Sequence, residues 1–300
     1  MSPKNEKRLT NAERTALARE QAKKIRDTQQ KKEKTRNWII RGSVLLVAVA
    51  IVVIIAIVVL QTSKSNEPVA ATGAVPANAN SYGGVTVGKD GAIVAPVTKE
   101  TTVDMASLPP APTAQPTAVS GLDKLGLAAA PADKPAQVVV YLDFMCPACK
   151  NFETAYGPTL DGLRNSGKIT VEYRPLNFLD RFSSGTNYSS RSAAAAACVV
   201  DKSPDKYKAF VDSLYKEQPA ENSKGLDNAT LVKLASEAGA ADINSCVNDK
   251  TFRPYIAFGG ALAVARGIAA TPTVFVQGQQ WMPEKDKDFN AFLTTALAAK

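Results

Sequence analysis

Two cysteines lie three positions apart in the stretch YLDFMCPACKNFE, residues 141–153. Cys146 and Cys149 could ligate a metal, form a structural disulfide or exchange disulfides with other proteins. The chain has no histidine and only two further cysteines, Cys198 and Cys246, which are far apart in sequence. A zinc site, which needs four ligands, is therefore disfavoured, and Ser-His-Asp and Cys-His catalysis are excluded.

The position of the cysteine pair favours exchange. The apolar and β-branched run at 137–144 predicts a buried strand, so Cys146 lies where the following helix begins and Pro147 lies in its first turn. Unpaired amides and the positive end of the helix dipole stabilise a thiolate there, which makes Cys146 the expected nucleophile. Cys149, nearly one turn further along, is the expected resolving thiol.

The elements around the pair predict an α/β domain over residues 137–300. The first strand, a helix that ends near Gly167 and a second strand at 168–176 form a β-α-β unit. Residues 185–266 show a series of helical patterns, and residues 271–281 return to strand character before a final amphipathic helix. The predicted order is βαβ, a helical insert, then ββα.

Upstream of this domain, GVTVGKDGAIV at residues 84–94 alternates apolar and polar positions around a turn and predicts a β-hairpin. Residues 99–136 then carry many Pro and Ala without periodicity. A loop of that length counts against packing the hairpin into the same core. We therefore expect the segment 84–136 to lie outside the domain 137–300.

An uncharged run of 18 residues, 43–60, contains no Gly or Pro and follows Trp38. At about 1.5 Å of rise per residue it can cross a bilayer, so residues 38–60 are predicted to form a single transmembrane helix. The alternative is a cleaved signal peptide, but its basic region would be about 40 residues long and no small-x-small site follows Leu60. Residues 61–83, rich in Ala, Ser, Asn and Pro, predict a flexible tether.

Positive charge is concentrated at the start of the chain. Residues 1–41 hold 13 of the 36 Lys and Arg but five of the 28 acids, so the remainder is neutral, with 23 of each sign. This balance argues against a nucleic-acid partner. Because basic segments stay in the cytoplasm, residues 1–37 should form a cytoplasmic tail and everything after Gln61 should lie outside. The bilayer would be contacted through residues 38–60, and all four cysteines would lie where disulfides persist.

Three stretches of the domain, DFMCPACKNFE, NYSSRSAAAAAC and GIAATPTVFVQG, occur in this order. Together they resemble the thiol:disulfide oxidoreductases of the DsbA type that are anchored in membranes. The resemblance implies a thioredoxin-like fold with an inserted α-helical domain, here about residues 185–266. It also implies a cis peptide between Thr271 and Pro272 that faces the cysteines and leaves the Thr271 backbone free to pair with an extended substrate. The alternative is a trans proline that opens an edge strand.

The chain departs from that family at two places. Pro147 and Ala148, between the cysteines, include no histidine, so Cys146 should be a weaker acid and the protein a weaker oxidant than relatives that have one. Val140 occupies the position, six residues before the nucleophile, where thioredoxin and DsbA have a buried carboxylate. Asp143 is the nearest acid, and it either relays protons or is a solvated acid at the strand end.

Cys198 and Cys246 lie on separate predicted helices of the insert. We expect them to form a structural disulfide, and a second redox pair is the alternative. Neither cysteine opens a helix after a strand, as Cys146 does.

These features predict a single-pass enzyme of the cell membrane that introduces disulfides into unfolded exported proteins through Cys146 and Cys149. The chemistry needs no metal or organic cofactor. The resemblance implies a quinone-linked membrane oxidase that reoxidises the pair. Two alternatives remain: a reductase or isomerase, for example in cytochrome c maturation, and a peptide-binding chaperone without turnover.

Overall fold

The computed structural model describes residues 68–110 and 119–299, together with Lys23. The predicted transmembrane helix at 38–60, and the cytoplasmic tail at 1–37 apart from Lys23, lie outside the described residues. Within the described part of the chain, no helix is both long and apolar enough to cross a membrane.

Eight β-strands fall within the described ranges. They are β1 Thr72–Ala74, β2 Val85–Val87, β3 Ile93–Val94, β4 Thr102–Asp104, β5 Ala136–Leu142, β6 Ile169–Pro175, β7 Thr273–Val276 and β8 Gln279–Gln280. Six of them form a mixed sheet in the order β3–β2–β6–β5–β7–β8, while β1 and β4 pair separately. The two central strands, β5 and β6, are parallel, and their neighbours run antiparallel to them. Both are buried along almost their whole length, which agrees with their apolar, β-branched sequences.

Seven α-helices fall within the same ranges. They are α1 Pro147–Asn165, α2 Tyr188–Lys202, α3 Tyr207–Lys216, α4 Asn228–Glu237, α5 Asn244–Asn248, α6 Arg253–Ala265 and α7 Phe289–Ala298. Five of them, α2 to α6, lie between β6 and β7 and form the helical insert. The predicted order of a βαβ unit, a helical insert and a final ββα unit is confirmed.

The helix after the cysteines follows the sequence signals closely. α1 begins at Pro147, directly after Cys146, and continues through Pro158 to Asn165. Gly167 follows with φ of 77°, a left-handed conformation that costs glycine little and ends the helix. In the insert, the Asp227 carboxylate accepts a hydrogen bond from the Thr230 N–H at 2.8 Å and caps α4, a position at which Asp is favoured.

The hairpin at residues 84–94 is present, but the expectation that it lies outside the domain is wrong. β2 pairs antiparallel with β6, with Val85 opposite Tyr173 and Val87 opposite Val171. Val85 and Val87 are buried in the same core as β5 and β6. The long segment after the hairpin does not separate it, because scattered apolar residues of that segment, such as Leu125, are themselves buried in this core.

A buried ion pair explains why the upstream segment belongs to the sheet. Arg174 Nε donates to Glu172 Oε1 at 2.7 Å, and Arg174 Nη1 donates to the Tyr141 hydroxyl at 2.7 Å. Asn80, from the predicted tether at 61–83, donates its Nδ2 to the same Glu172 oxygen at 2.7 Å. Buried charges are costly unless they are paired and hydrogen-bonded, so Asn80 contributes to the stability of this network. The prediction of a flexible tether is therefore wrong for the described part of 61–83, where β1 forms and Val75 and Ala79 are buried in the core.

Candidate active site

Cys146 lies at the N-terminus of α1, where the strand β5 has just ended. Its backbone is extended, with φ of −76° and ψ of 116°, so that α1 starts at Pro147. The Cys146 sulfur is 3.3 Å from the carbonyl oxygen of Thr271, and the residue is 7% exposed. Cys146 and Cys149 are not bonded to each other in this structure.

The surroundings of Cys146 favour its thiolate. Its pKa is lowered from 9.0 to about 6, chiefly because the Cys149 thiol donates a hydrogen bond to its sulfur. Burial acts in the opposite direction, while the Thr271 side chain and the backbone N–H groups of Cys149 and Ala148 lower the pKa further. At neutral pH Cys146 is therefore largely ionised and ready to attack or to leave.

Cys149 lies behind Cys146, and its surroundings favour the neutral thiol. It is 1% exposed, and burial raises its pKa well above 9.0, with the adjacent Cys146 thiolate raising it further. Its sulfur is 3.5 Å from the backbone N–H of Asp143. The pair thus carries a single negative charge at neutral pH, and that charge is on Cys146.

The segment Thr271–Pro272 meets the cysteine pair at Thr271, whose carbonyl oxygen is 3.3 Å from the Cys146 sulfur. The peptide bond between them is cis, as the family resemblance implies. The pairing of β7 with β5 begins at Thr273, so the backbone of Thr271 lies before the paired register. The structure therefore brings together Cys146, Cys149, Thr271 and Pro272, and their roles in exchange stay predictions.

The positions at which the chain departs from the DsbA type differ in solvent accessibility. Pro147 and Ala148 are exposed in the first turn of α1. Val140 is fully buried in β5, opposite Val274 of β7. The core at this position is apolar, in agreement with the departure noted in the sequence.

The interpretation of Asp143 as a solvated acid is wrong. Asp143 is fully buried, and its carboxylate accepts hydrogen bonds from the Met145 N–H at 2.8 Å, the Ser189 hydroxyl at 2.7 Å and the Leu179 N–H at 2.9 Å. Burial raises its pKa to about 7, although these hydrogen bonds oppose the shift. Asp143 therefore ties the active-site loop to the helical insert, since Ser189 lies on α2.

Gln218, which the sequence analysis did not single out, holds the same loop from the other side. Its Nε2 donates to the carbonyl oxygens of Phe144 at 3.1 Å and Cys146 at 3.0 Å. Gln218 follows α3 in a connecting segment without periodicity, so no sequence pattern points to it. The hydrogen bonds of Asp143 and Gln218 together fix the backbone conformation around Cys146.

Cys198 and Cys246 form a disulfide between α2 and α5, with an S–S distance of 1.97 Å. Both cysteines are buried. The expected pairing is therefore present, and its purely structural role stays a prediction. In the described residues, no cluster of three or more Cys, Asp or Glu side chains could hold a metal ion.

A family model described as thioredoxin matches residues 129–295. The serine/threonine-protein kinase PknE of Mycobacterium tuberculosis is 34% identical over 110 residues, which cover 35% of this chain and 19% of the kinase. The chain thus spans about a fifth of the length of that relative.

Two further relatives cover more of this domain. The probable disulfide bond formation protein D of Bacillus cereus is 21% identical over 159 residues, 51% of this chain and 71% of that protein. The solved structure of MdbA, a thiol-disulfide oxidoreductase from Actinomyces oris, superimposes with a TM-score of 0.52 at 19% identity, covering 79% of this chain and 95% of that one. This structural similarity supports the thioredoxin-like fold.

Proposed function

The chain belongs to the thioredoxin family, and on that basis we propose that it introduces disulfides into exported proteins by exchange through Cys146 and Cys149. The observation that carries the proposal is the unequal pair. Cys146 is a stabilised thiolate at a helix N-terminus beside Thr271, whereas Cys149 is a buried thiol one turn behind it. Such inequality suits a labile disulfide that is attacked at one sulfur.

The reaction begins with the oxidised pair. A substrate thiolate attacks the sulfur of Cys146, which forms a mixed disulfide and releases Cys149 as a thiolate that takes up a proton. A second thiolate of the substrate then attacks the substrate sulfur of the mixed disulfide, so the substrate gains its disulfide and Cys146 leaves as a thiolate. The substrate loses two electrons and the pair gains them. The lowered pKa of Cys146 makes it a good leaving group in the second step.

The backbone of Thr271 provides the proposed contact for the substrate chain. It precedes the paired register of β7 and its carbonyl lies 3.3 Å from the Cys146 sulfur. An extended peptide that pairs with this backbone would place its own cysteine beside Cys146. Pro272 follows Thr271 across the cis peptide bond and is part of the proposed contact.

The acidity of Cys146 supports oxidation as the direction of exchange. A pKa of about 6 lies between the values of about 3.5 for DsbA and about 7 for thioredoxin. Stabilising the Cys146 thiolate stabilises the reduced pair, so the disulfide becomes the stronger oxidant. The name of the Bacillus cereus relative, a disulfide bond formation protein, agrees with oxidation.

Equilibration of the purified domain with glutathione redox buffers tests this direction. We expect the 146–149 pair to have a potential between about −270 mV, the value for thioredoxin, and about −120 mV, the value for DsbA. Ala148→His serves as a matched variant, because a cationic imidazole between the cysteines should stabilise the Cys146 thiolate and move the potential toward DsbA. A potential at or below that of thioredoxin, with the pair found reduced in cells, would instead assign the protein as a reductase.

The proposal also includes a location, the outer side of the cell membrane. It is supported by the uncharged run at 43–60 and by the basic residues before it. Each turnover leaves the pair reduced, so a partner must reoxidise it, and a membrane oxidase is the partner that such an anchor would bring close.

Protease added to intact cells tests this location. With an epitope tag placed before residue 38 and another after residue 300, the second tag should be lost while the first is retained. The first tag should be lost only after the membrane is permeabilised. A second tag that is protected in intact cells contradicts the proposed orientation.

A further inference from the structure

Asp143 lies between the end of β5 and Cys146, and each of its four polar groups has a hydrogen-bond partner. The two backbone groups contact the cysteine pair. The Asp143 nitrogen is 3.5 Å from the Cys149 sulfur, and the Asp143 carbonyl oxygen accepts the Cys146 N–H at 3.0 Å. The two carboxylate oxygens contact the surrounding domain instead, so Asp143 connects both cysteines with the rest of the molecule.

The carboxylate of Asp143 is held from three directions. Its Oδ1 accepts the Met145 N–H at 2.8 Å and the Ser189 hydroxyl at 2.7 Å, and its Oδ2 accepts the Leu179 N–H at 2.9 Å. These donors come from the active-site loop, from α2 of the helical insert and from the connection after β6. Hydrogen bonds to an ionised acceptor are stronger than neutral ones, and the carboxylate is fully buried. The three bonds therefore fix the position of Asp143.

The peptide unit between Leu142 and Asp143 sets the direction of the Asp143 N–H. The Leu142 carbonyl oxygen accepts the Leu176 N–H at 2.7 Å, directly after the pairing of β5 with β6. Because a trans peptide unit is planar, its N–H points away from its C=O. The Asp143 N–H thus points away from Leu176 and toward the Cys149 sulfur. The sheet holds one side of this donor group, and the carboxylate holds the other.

The hydrogen bonds at the cysteines form a chain in the reduced pair. The Asp143 N–H donates to the Cys149 sulfur, and the Cys149 thiol donates to the Cys146 sulfur, which is the main reason for the low pKa of Cys146. Hydrogen bonds in a chain polarise one another, so the first bond strengthens the second. The Asp143 N–H also favours negative charge on Cys149 itself. Burial raises the pKa of Cys149 well above 9.0, and this donor acts against the rise.

We propose that Asp143 is a positioning residue of the exchange reaction: its carboxylate, held by Ser189 of the insert, keeps its own N–H directed at the Cys149 sulfur. This inference rests on the proposed function. When a substrate thiolate bonds to the Cys146 sulfur, the 146–149 bond breaks and its electron pair stays on the Cys149 sulfur. The Asp143 N–H donates to that sulfur as the charge develops. Because the donor is held in place beforehand, no reorganisation is needed during the step.

The charge of Asp143 and its N–H act on the cysteines with opposite signs. A negative charge near a thiol raises its pKa, whereas a donor to the thiolate lowers it. Removing the Ser189 hydroxyl takes away one of the bonds that favour the ionised Asp143, so the negative charge becomes smaller. If charge alone acted on Cys146, its pKa would fall in such a variant. Loss of positioning predicts a rise.

The pKa of Cys146 in Ser189→Ala tests this inference. It is measured on the reduced protein by the ultraviolet absorbance of the thiolate, and the wild type should titrate at about 6. In the variant we expect a pKa higher by about 0.5, because the N–H is less well aligned with Cys149. Reaction of the oxidised variant with a small monothiol should be about fivefold slower, which is the order of one hydrogen bond.

Ser192→Ala is the matched control. Ser192 is buried on the same helix, α2, and its hydroxyl donates to the carbonyl oxygens of Tyr188 at 2.8 Å and Ser189 at 3.1 Å. The variant therefore removes the same group from the same helix without removing a bond to Asp143. Both serine variants should be less stable in urea, but Ser192→Ala should keep the wild-type pKa of Cys146 and the wild-type rate.

An unchanged or lowered Cys146 pKa in Ser189→Ala, with normal exchange, would overturn the positioning role and leave the proposed function intact. Wild-type protein that does not react with thiols at all would overturn both. If Ser189→Ala fails to fold, Asp143→Asn decides the matter. Its amide oxygen can still accept from Met145 and Ser189, but its NH2 group faces the Leu179 N–H, so one bond is lost. The Cys146 pKa should rise in this variant as well, and a wild-type or lower value would contradict the proposal.

Discussion

Replacing both Cys198 and Cys246 with Ala is expected to lower the free energy of unfolding by about 4 kcal/mol, because the disulfide closes a long loop. The two cysteines are 48 positions apart, and their bond joins α2 to α5 within the helical insert. Without it the unfolded chain regains the entropy that loop closure removes. For a domain of this size the loss corresponds to a decrease in the melting temperature of roughly 10 °C.

Urea unfolding of the double variant and the wild type measures this difference. Thiol–disulfide exchange is measured in parallel at a temperature where both proteins are folded, and it should be retained. The active-site pair stays intact in the variant and acts as an internal control for folding around Cys146. Loss of exchange with an unchanged free energy of unfolding would show that the second pair takes part in the chemistry.

Local sequence patterns were sufficient for the elements that carry the cysteines. The β-branched run of β5, the cysteine directly before Pro147 and the glycine at position 167 each act within a few residues, so the start and end of α1 follow from sequence. The upstream hairpin shows the limit of such patterns. Its turn is a local feature, but its pairing with β6 depends on contacts across about 85 residues of chain, such as that between Thr86 and Glu172.

Local sequence patterns also could not predict which side chains of the insert contact the active site. Gln218 and Ser189 contact the active-site loop only because the insert folds back onto it. The burial of Asp143 has the same origin, and an alternating strand pattern alone predicts only the direction of its side chain.

Replacing Cys149 with Ala is expected to trap Cys146 in mixed disulfides and to reduce turnover by at least about a hundredfold. The Cys146 thiolate attacks an existing disulfide of a substrate protein or of glutathione and becomes bonded to one of its sulfurs. Without the Cys149 thiol, no neighbouring group displaces the bound partner. Replacing Cys146 with Ala should abolish turnover as well, but by a different route, because the remaining Cys149 is buried and protonated and should form almost no adducts.

Identification of these adducts measures the central claim directly. The full-length variants are produced in cells, free thiols are blocked with an alkylating agent at the moment of lysis, and disulfide-linked partners are separated without reductant and identified by mass spectrometry. We expect exported proteins joined to the peptide of Cys146 in the Cys149→Ala variant and almost none in the Cys146→Ala variant. Equal amounts of adduct in the two variants, or no adduct through Cys146, would contradict this claim.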